Sequence, residues 1–210
     1  GSFRFLRRVW GFAAKSQNAL QNALQNALQS AAQPDYSAVS KAAKTLRLEI
    51  HTTLKQANYD YERMQYNTVV SAVMKMLNAL ESATLQDTAA DQAALAECFG
   101  ILLRVLYPAC PHITQALWGQ EQGLGYSRTL GELLDAPWPQ VDAGALVQDE
   151  IELVLQINGK LRGNITVPAS ADKAAIEAAA LASEAVIKHA AGATPKKVVV
   201  VPGRLVNVVL

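Results

Sequence analysis

The chain has 210 residues, half of them hydrophobic, and a formal net charge of +1 at pH 7. This length is enough for one or two domains with hydrophobic cores, and no apolar run is long enough for a transmembrane span. The first residues lack a signal-peptide pattern, and the two cysteines, Cys98 and Cys110, are typical of a reducing, cytoplasmic setting.

The charge is unevenly distributed along the chain. Lys and Arg outnumber Asp and Glu by seven to two in residues 1–50, giving +5. The balance is five to ten in residues 51–147 and seven to six in residues 148–210. A basic front segment indicates either a polyanionic partner or an ordinary solvated helix face.

Residues 1–120 show helical spacing and no strand pattern. Apolar residues recur at this spacing in residues 3–12, and QNAL then occurs three times in residues 17–28, which we interpret as a tolerant linker that could carry a short leucine stripe. Further helices are expected to start near Ser37, Asn67, Asp87 and Pro111. The pattern predicts an antiparallel helical bundle.

The spacing changes from the helical period to strict alternation near Gln148. Apolar residues alternate on both sides of Asn158-Gly159, which is a strong hairpin signal. A two-residue loop would pair Leu155 with Arg162, so we favour a three-residue loop, residues 157–159, that pairs Leu155 with Leu161. In that register Gln156, Lys160 and Arg162 share the face turned away from the core.

A helix is expected to follow the hairpin, starting at Ser170 or Asp172 and capped by Gly192, and a second hairpin is expected around Pro202-Gly203. The predicted fold is therefore an antiparallel helical bundle followed by a small ββαββ domain, of α+β class, with one helix packed on a sheet. We place the helical domain at residues 1–140, a linker at 141–148 and the α+β domain at 149–210. The linker should be a protease-sensitive hinge.

No catalytic or metal-binding motif is evident. Cys98, Cys110 and His112 lack paired spacing and a fourth ligand, so a buried free thiol and a helix-start histidine are the simpler interpretation. His51 and His189 stand alone in helices and are expected at the surface or half-buried, and the carboxylates of the middle helices look like solvation. There is no G-x-S-x-G elbow and no phosphate-binding glycine loop, so we expect neither catalysis nor a metal site in these residues.

Basic side chains near turns and exposed aromatics give partial support for RNA binding. One group lies beside Trp10, and the others flank the two predicted hairpins. The candidate RNA-binding residues are Arg4, Arg7, Arg8, Lys160, Arg162, Lys196, Lys197 and Arg204.

Several stretches together resemble a known family. RFLRRVW at residues 4–10, PHI at 111–113 with LW at 117–118, and APWP at 136–139 resemble the helical tRNA-contacting domain of class I aminoacyl-tRNA synthetases. QINGKLR at 156–162, with ITVP at 165–168 and VPGRLVN at 201–207, is similar to the small C-terminal domain of bacterial leucyl-tRNA synthetases. The QNAL repeat departs from the family pattern.

The resemblance implies a longer parent enzyme that uses ATP and Mg²⁺ to attach leucine to its tRNA. The catalytic and editing domains are not among these residues, so the chain alone should be inactive. It implies tRNA as partner, with contacts from Lys160, Arg162 and the other basic candidates to the sugar-phosphate backbone. We further expect contacts with the parent's own upstream domains, a monomer, and no membrane association.

Two alternatives remain open on the sequence. The chain could be the equivalent region of a valyl- or isoleucyl-type synthetase. It could also be a non-catalytic helical module that binds another protein through its basic face.

Overall fold

The computed structural model describes residues 1–30, 34–119, 122–190 and 195–210. The chain divides into two compact units, Gly1–Leu146 and Val147–Leu210. Among the described residues, no helix is long and apolar enough to cross a membrane.

The first unit is helical throughout the residues described. Its longest helices, α3, α4 and α5, pack against one another, and α5 is buried along most of its length. The predicted helical bundle is confirmed. The elements are α1 Ser2–Lys15, α2 Gln17–Gln29, α3 Lys41–Glu62, α4 Tyr66–Ser82, α5 Ala89–Leu106, α6 Pro111–Trp118, α7 Ser127–Leu130 and a 3₁₀ helix at Ala143–Leu146.

The start predicted near Ser37 is wrong by a few residues, whereas the other three predicted starts lie within two residues of the observed ones. The cap of α3 is Ser40, whose hydroxyl accepts from the Ala43 amide at 3.2 Å, whereas the Ser37 amide binds Asp35 in a turn before the helix. Helix α4 starts before Asn67, at Tyr66. Serines three residues apart compete for the cap, and Ser40 is favoured because Asp91 accepts from both its amide and its hydroxyl.

The QNAL repeat is not a linker but helix α2. Leu20, Ala23 and Leu24 are buried in the main core, and α2 packs against α5. Leu28 is 46% exposed. A four-residue repeat advances about 400° on a helix with 3.6 residues per turn, so each successive leucine rotates about 40° away from the interface.

The second unit contains a four-stranded mixed sheet with helices on one face. Its strand order is β2-β1-β4-β3, and the central pair, β1 and β4, is parallel. The single predicted helix is instead two helices, broken at residues 182–183, and the predicted cap Gly192 lies outside the described residues. The elements are β1 Glu150–Ile157, β2 Lys160–Pro168, α8 Lys173–Leu181, α9 Glu184–Ala190, β3 Lys197–Val201 and β4 Leu205–Val209.

The register predicted for the first hairpin is wrong. The loop has two residues, Asn158 and Gly159, both with positive φ (51° and 76°), so Ile157 pairs with Lys160. A bulge then skips Arg162 and pairs Leu155 with Gly163. The extra residue that the alternation requires is therefore inside β2, next to a glycine at φ 144°, rather than in the loop.

The bulge aligns the apolar residues of the two strands. Leu153 pairs with Ile165 and Ile151 with Val167. Leu161 pairs with Gln156 and is 67% exposed, so its predicted place on the apolar face is wrong. The core between sheet and helices contains Leu153, Leu155, Ile157, Ile165, Val167, Ile176, Ala180, Val186, Val206 and Val208.

Candidate nucleic-acid interface

Four of the candidate basic residues are at one end of the sheet of the second unit. Because β1 and β4 are parallel, with Ile157 opposite Val208, the tip of the first hairpin lies beside the end of β4. Lys197, the first residue of β3, pairs with Val209 at this same end. We name Lys160, Arg162, Lys196 and Lys197 the sheet-end cluster.

Side-chain amides fix the hairpin tip to β4. The Gly159 amide donates to Oδ1 of Asn207 at 3.0 Å, and the Leu210 amide donates to Oδ1 of Asn158 at 3.0 Å. The backbone amide of Asn158 also donates to the Val208 carbonyl at 2.9 Å. These bonds hold the hairpin tip, and the charges that flank it, against the end of β4.

The four side chains of the sheet-end cluster are exposed. Nζ of Lys196 is 3.3 Å from the Leu210 carbonyl, whereas no side-chain partner within the described part of the chain is recorded for Lys160, Arg162 or Lys197. Adjacent strands are about 4.8 Å apart, so the cluster extends on the order of 14 Å across the sheet. The register sets Lys160 opposite the buried Ile157, and so not on the face of Gln156 as predicted.

The acidic residues of β1 and of the residue before it lie toward the other end of the sheet. Asp149, Glu150 and Glu152 are at the start of β1, and Glu152 accepts from Asn164 at 2.8 Å. Five residues along a strand separate Glu152 from Ile157, or about 17 Å. The sheet-end cluster is therefore separated from these carboxylates, and its positive charge can attract phosphate.

Arg204 is not part of the sheet-end cluster. It is exposed, and it precedes β4 at the turn after Val201. Its carbonyl accepts from the Val154 amide, in the middle of β1. The structure thus separates Arg204 from Lys196 and Lys197 by the length of β4.

The three arginines of α1 differ in their contacts. Arg8 forms an ion pair with Glu81 and donates to Oδ1 of Asn78 at 2.7 Å, so it connects α1 to α4. This hydrogen bond to Glu81 raises the pKa of Arg8. Cζ of Arg7 lies 5.9 Å from the centroid of the Phe3 ring, and Arg4 is exposed. Arg4 and Arg7 remain open to a partner.

A charged network around the buried Arg47 was not predicted from the sequence. Arg47 donates from Nε to Glu97 at 2.6 Å and from Nη2 to Asp142 at 2.6 Å. Its guanidinium also lies 3.6 Å from the centroid of the Tyr36 ring. The interpretation of the middle-helix carboxylates as solvation is wrong for Glu97, and also for Asp91, which is fully buried.

His51 belongs to this network and is 1% exposed, so the prediction of an isolated, surface or half-buried histidine is wrong. Its Nδ1 accepts from the Asp142 amide at 3.0 Å, so the proton is on Nε2, which donates to Glu97 at 3.0 Å. Arg47 and His51 are four residues apart, on one face of α3. That spacing was the signal available in the sequence.

The aromatic motif residues also have structural roles. The Trp118 indole is stacked on Tyr126 at 4.7 Å and donates to the Gly131 carbonyl at 2.8 Å. The Trp138 indole donates to Asn58 at 2.9 Å. No group of His, Cys, Asp or Glu suited to a metal ion occurs in the parts of the chain that the structure describes.

Comparison with known proteins identifies what the chain is similar to. It is 64% identical over its whole length to the leucine–tRNA ligase of Methylibium petroleiphilum and 66% identical to that of Paracidovorax citrulli. It covers only 22% and 23% of these relatives, so it spans less than a quarter of their length.

A solved structure has the same fold. The agnB2 LeuRS of Agrobacterium radiobacter K84, in a ternary complex with tRNA and LeuAMS, matches 98% of the chain with a TM-score of 0.69 and 25% identity. The match covers 25% of that chain. The family described as the anticodon-binding domain of tRNA ligase matches residues 43–178. Since this match covers more than half of the sequence, the chain belongs to the family of anticodon-binding domains of tRNA ligases.

Proposed function

We propose that the chain is the tRNA-binding portion of a leucine–tRNA ligase and that it positions leucine tRNA for leucylation and editing elsewhere in the parent protein. The observation that carries the proposal is the sheet-end cluster, four exposed basic residues beside a hairpin tip that is hydrogen-bonded to β4. The relatives are leucine–tRNA ligases, which favours this function over a valyl- or isoleucyl-type region or a protein-interaction module.

Basic groups of this kind bind phosphates. A row of three or four such charges across a sheet end can follow a short stretch of sugar-phosphate backbone, while selectivity comes from the shape of the RNA. Arg4 and Arg7 are candidates for further contacts, whereas Arg8 is already bound to Glu81. Lys196, Lys197 and Arg204 are proposed as weaker contributors than Lys160 and Arg162.

The reaction itself belongs to the parent protein. ATP and Mg²⁺ would act there, in the catalytic domain, and the residues of this chain would bind and orient the RNA. The two cysteines are unpaired, which fits a reducing cytoplasmic compartment. We propose a monomer that contacts its own upstream domains.

The test is a salt titration of tRNA binding by the 210-residue chain. Lys160→Ala with Arg162→Ala should weaken binding of leucine tRNA about tenfold at low salt, because two phosphate contacts are lost. The slope of log affinity against log salt should become shallower by about 1.5. Fluorescence anisotropy with labelled leucine tRNA measures both quantities.

The matched control is Lys173→Ala with Lys188→Ala, which removes the same charge from exposed positions on α8 and α9. This variant should keep the wild-type slope. Equal effects of the two double variants would show that net charge alone matters, and wild-type binding by the cluster variant would refute its role. A serine tRNA provides the specificity control.

A further inference from the structure

A polar groove lies between α3 and α4, next to the turn that joins the two helices. Its volume is about 570 Å³, within the range of roughly 300–1,000 Å³ that is typical of small-molecule sites. Hydroxyl and amide groups make up much of its lining, which includes Thr52, Gln56, Asp60, Gln65, Ser71 and Lys75. We name it the α3–α4 groove.

The uncharged polar groups of the α3–α4 groove are available to a ligand. The side chains of Thr52, Gln65 and Ser71 have no recorded hydrogen bond to any described part of the chain. Asp60 is buried, and its Oδ1 accepts from Nε2 of Gln56 at 2.8 Å. Hydroxyl and amide groups both donate and accept hydrogen bonds, so they suit the edge of a base and the 2′-hydroxyl of RNA.

Two exposed basic side chains flank this lining. Lys75 lines the groove from α4, and Arg63 follows Gln56 by seven residues, which is about 20° around the helix. Neither has a recorded acidic partner among the described residues. Of the exposed acidic residues of α3, Glu49 is about 10 Å along the helix from Gln56, and Glu62 is about 120° around it. Positive charge therefore lies at the end of the groove near the turn.

An exposed aromatic ring lies beside the groove, in contact with Arg63. Tyr59 follows Gln56 by three residues, which is about 60° around the helix, and is 49% exposed. Cζ of Arg63 is 4.6 Å from the centroid of its ring. The guanidinium covers one face of the ring and restricts its motion, so a planar group can stack on the exposed part of Tyr59.

We propose that the α3–α4 groove binds an unpaired nucleotide of RNA, with its base stacked on Tyr59 and its phosphate groups toward Arg63 and Lys75. Aromatic rings next to cations and hydrogen-bonding groups are the usual means of holding unpaired bases. The polar lining favours a nucleotide over a protein segment, because protein interfaces have an apolar core. This inference rests on the proposed function, to which it adds a base contact on the first unit.

Tyr59→Ala tests the stacking in the 210-residue chain. The variant should bind leucine tRNA about tenfold more weakly at every salt concentration, because one stacked base is lost. The slope of log affinity against log salt should stay the same, since no charge is removed. Tyr59→Phe keeps the ring and should bind within about twofold of the wild type. Fluorescence anisotropy with labelled tRNA measures the affinities.

The matched control is Leu134→Ala, which shortens another exposed hydrophobic side chain of the same unit. It should bind tRNA with the wild-type affinity. Wild-type binding of tRNA by Tyr59→Ala would overturn the nucleotide site and favour a protein as the partner of this surface. An equal loss of affinity in Tyr59→Phe would also overturn it, since the hydroxyl group rather than the ring would then make the contact.

A labelled hexa-adenylate, a single-stranded RNA without the fold of a tRNA, separates this site from the proposed function. The wild type should bind it, and Tyr59→Ala should bind it about tenfold more weakly. If the wild type binds no tRNA, the proposed function fails, while hexa-adenylate binding that depends on Tyr59 still supports the site. If tRNA binds but neither RNA responds to Tyr59→Ala, the site fails and the proposed function stands.

Discussion

At the scale of single residues, the charged groups that pair with the buried Arg47 come from positions far apart in sequence. Arg47 and Glu97 are 50 residues apart, and Asp142 is 95 residues from Arg47. Buried charges persist when they are paired and hydrogen-bonded. Their burial could not be read from the sequence, because it depends on which helices pack together.

The titration of Glu97 reflects this packing. Burial alone would raise the pKa of its carboxyl group, but hydrogen bonds from His51 and Arg47 outweigh burial and lower the pKa. A carboxyl group whose pKa is lower in the folded chain stabilises the fold above its ordinary pKa, and this contribution is lost as the pH falls through the folded value. Glu97 should therefore contribute to acid sensitivity.

Glu97→Gln tests this contribution. At pH 7 the variant should lose about 3 kcal/mol of unfolding free energy, since Arg47 keeps only its partly exposed partner, Asp142. The difference from the wild type should shrink as the pH falls below ~4.5, where the wild-type glutamate also becomes neutral in the unfolded chain. Urea unfolding at a series of pH values measures the difference.

The control for that experiment is Glu49→Gln, which makes the same substitution at an exposed position of α3. It should change stability by less than about 0.5 kcal/mol at any of these pH values. A difference between Glu97→Gln and the wild type that stayed constant down to pH 3 would contradict an ionic role for Glu97.

At the scale of elements, helix α2 shows how local propensity and packing combine. Ala, Leu and Gln are good helix formers, and the repeat contains no β-branched residue, Gly or Pro. The perfect repeat suggested a linker, but two of its turns provide apolar residues for the core. The mismatch between four residues and the 3.6-residue turn removes the third leucine from the interface.

Paired alanine substitutions in the repeat test this geometry. Leu24→Ala should cost about 2–3 kcal/mol of unfolding free energy, because Leu24 is buried against the core. Leu28→Ala, the same change after the same three residues, should cost less than about 0.5 kcal/mol, because Leu28 is largely exposed. Chemical denaturation of the two variants gives the comparison, and equal losses would exclude the predicted rotation of the stripe.

In the first hairpin, the local sequence predicted the position of the turn but not the position of the bulge. Asn158-Gly159 indicated the turn correctly, because both positions require positive φ and this pair supplies it at low cost. The apolar alternation also indicated that one extra residue was needed. The position of that residue was predicted wrongly, in the loop, because the cue for a bulge, Gly163 inside the strand, was not used.

The residues of the candidate site could be predicted from local sequence, but their arrangement could not. Exposed Lys and Arg at turns could be identified one by one, whereas their grouping at one sheet end depends on the parallel pairing of β1 with β4. That pairing joins segments about 50 residues apart and has no local sequence signal. The separation of Arg204 from Lys196 and Lys197 follows from the same topology.

At the scale of the whole molecule, the two units have separate cores. The main core of the first unit extends from Phe5 to Leu133, and the core of the second from Leu153 to Val208, with no residue in common. The second unit, residues 147–210, is near the lower size limit for independent folding, so it should be the less stable of the two. Each unit should therefore unfold in a transition of its own.

All aromatic residues of the chain are at or before Trp138, so tryptophan fluorescence reports only on the first unit, while far-UV circular dichroism reports on both. Val206→Ala, in the core of the second unit, should lower the midpoint temperature of the unfolding transition of that unit, followed by far-UV circular dichroism, by about 10 °C. The midpoint temperature followed by fluorescence should not change. Leu77→Ala, in the core of the first unit, should lower the midpoint temperature followed by fluorescence and leave the unfolding transition of the second unit unchanged. A shift of the fluorescence midpoint in Val206→Ala as large as the far-UV shift would mean that the units unfold as one. Independent unfolding would instead mean that a substitution in either core leaves the stability of the other unit unchanged.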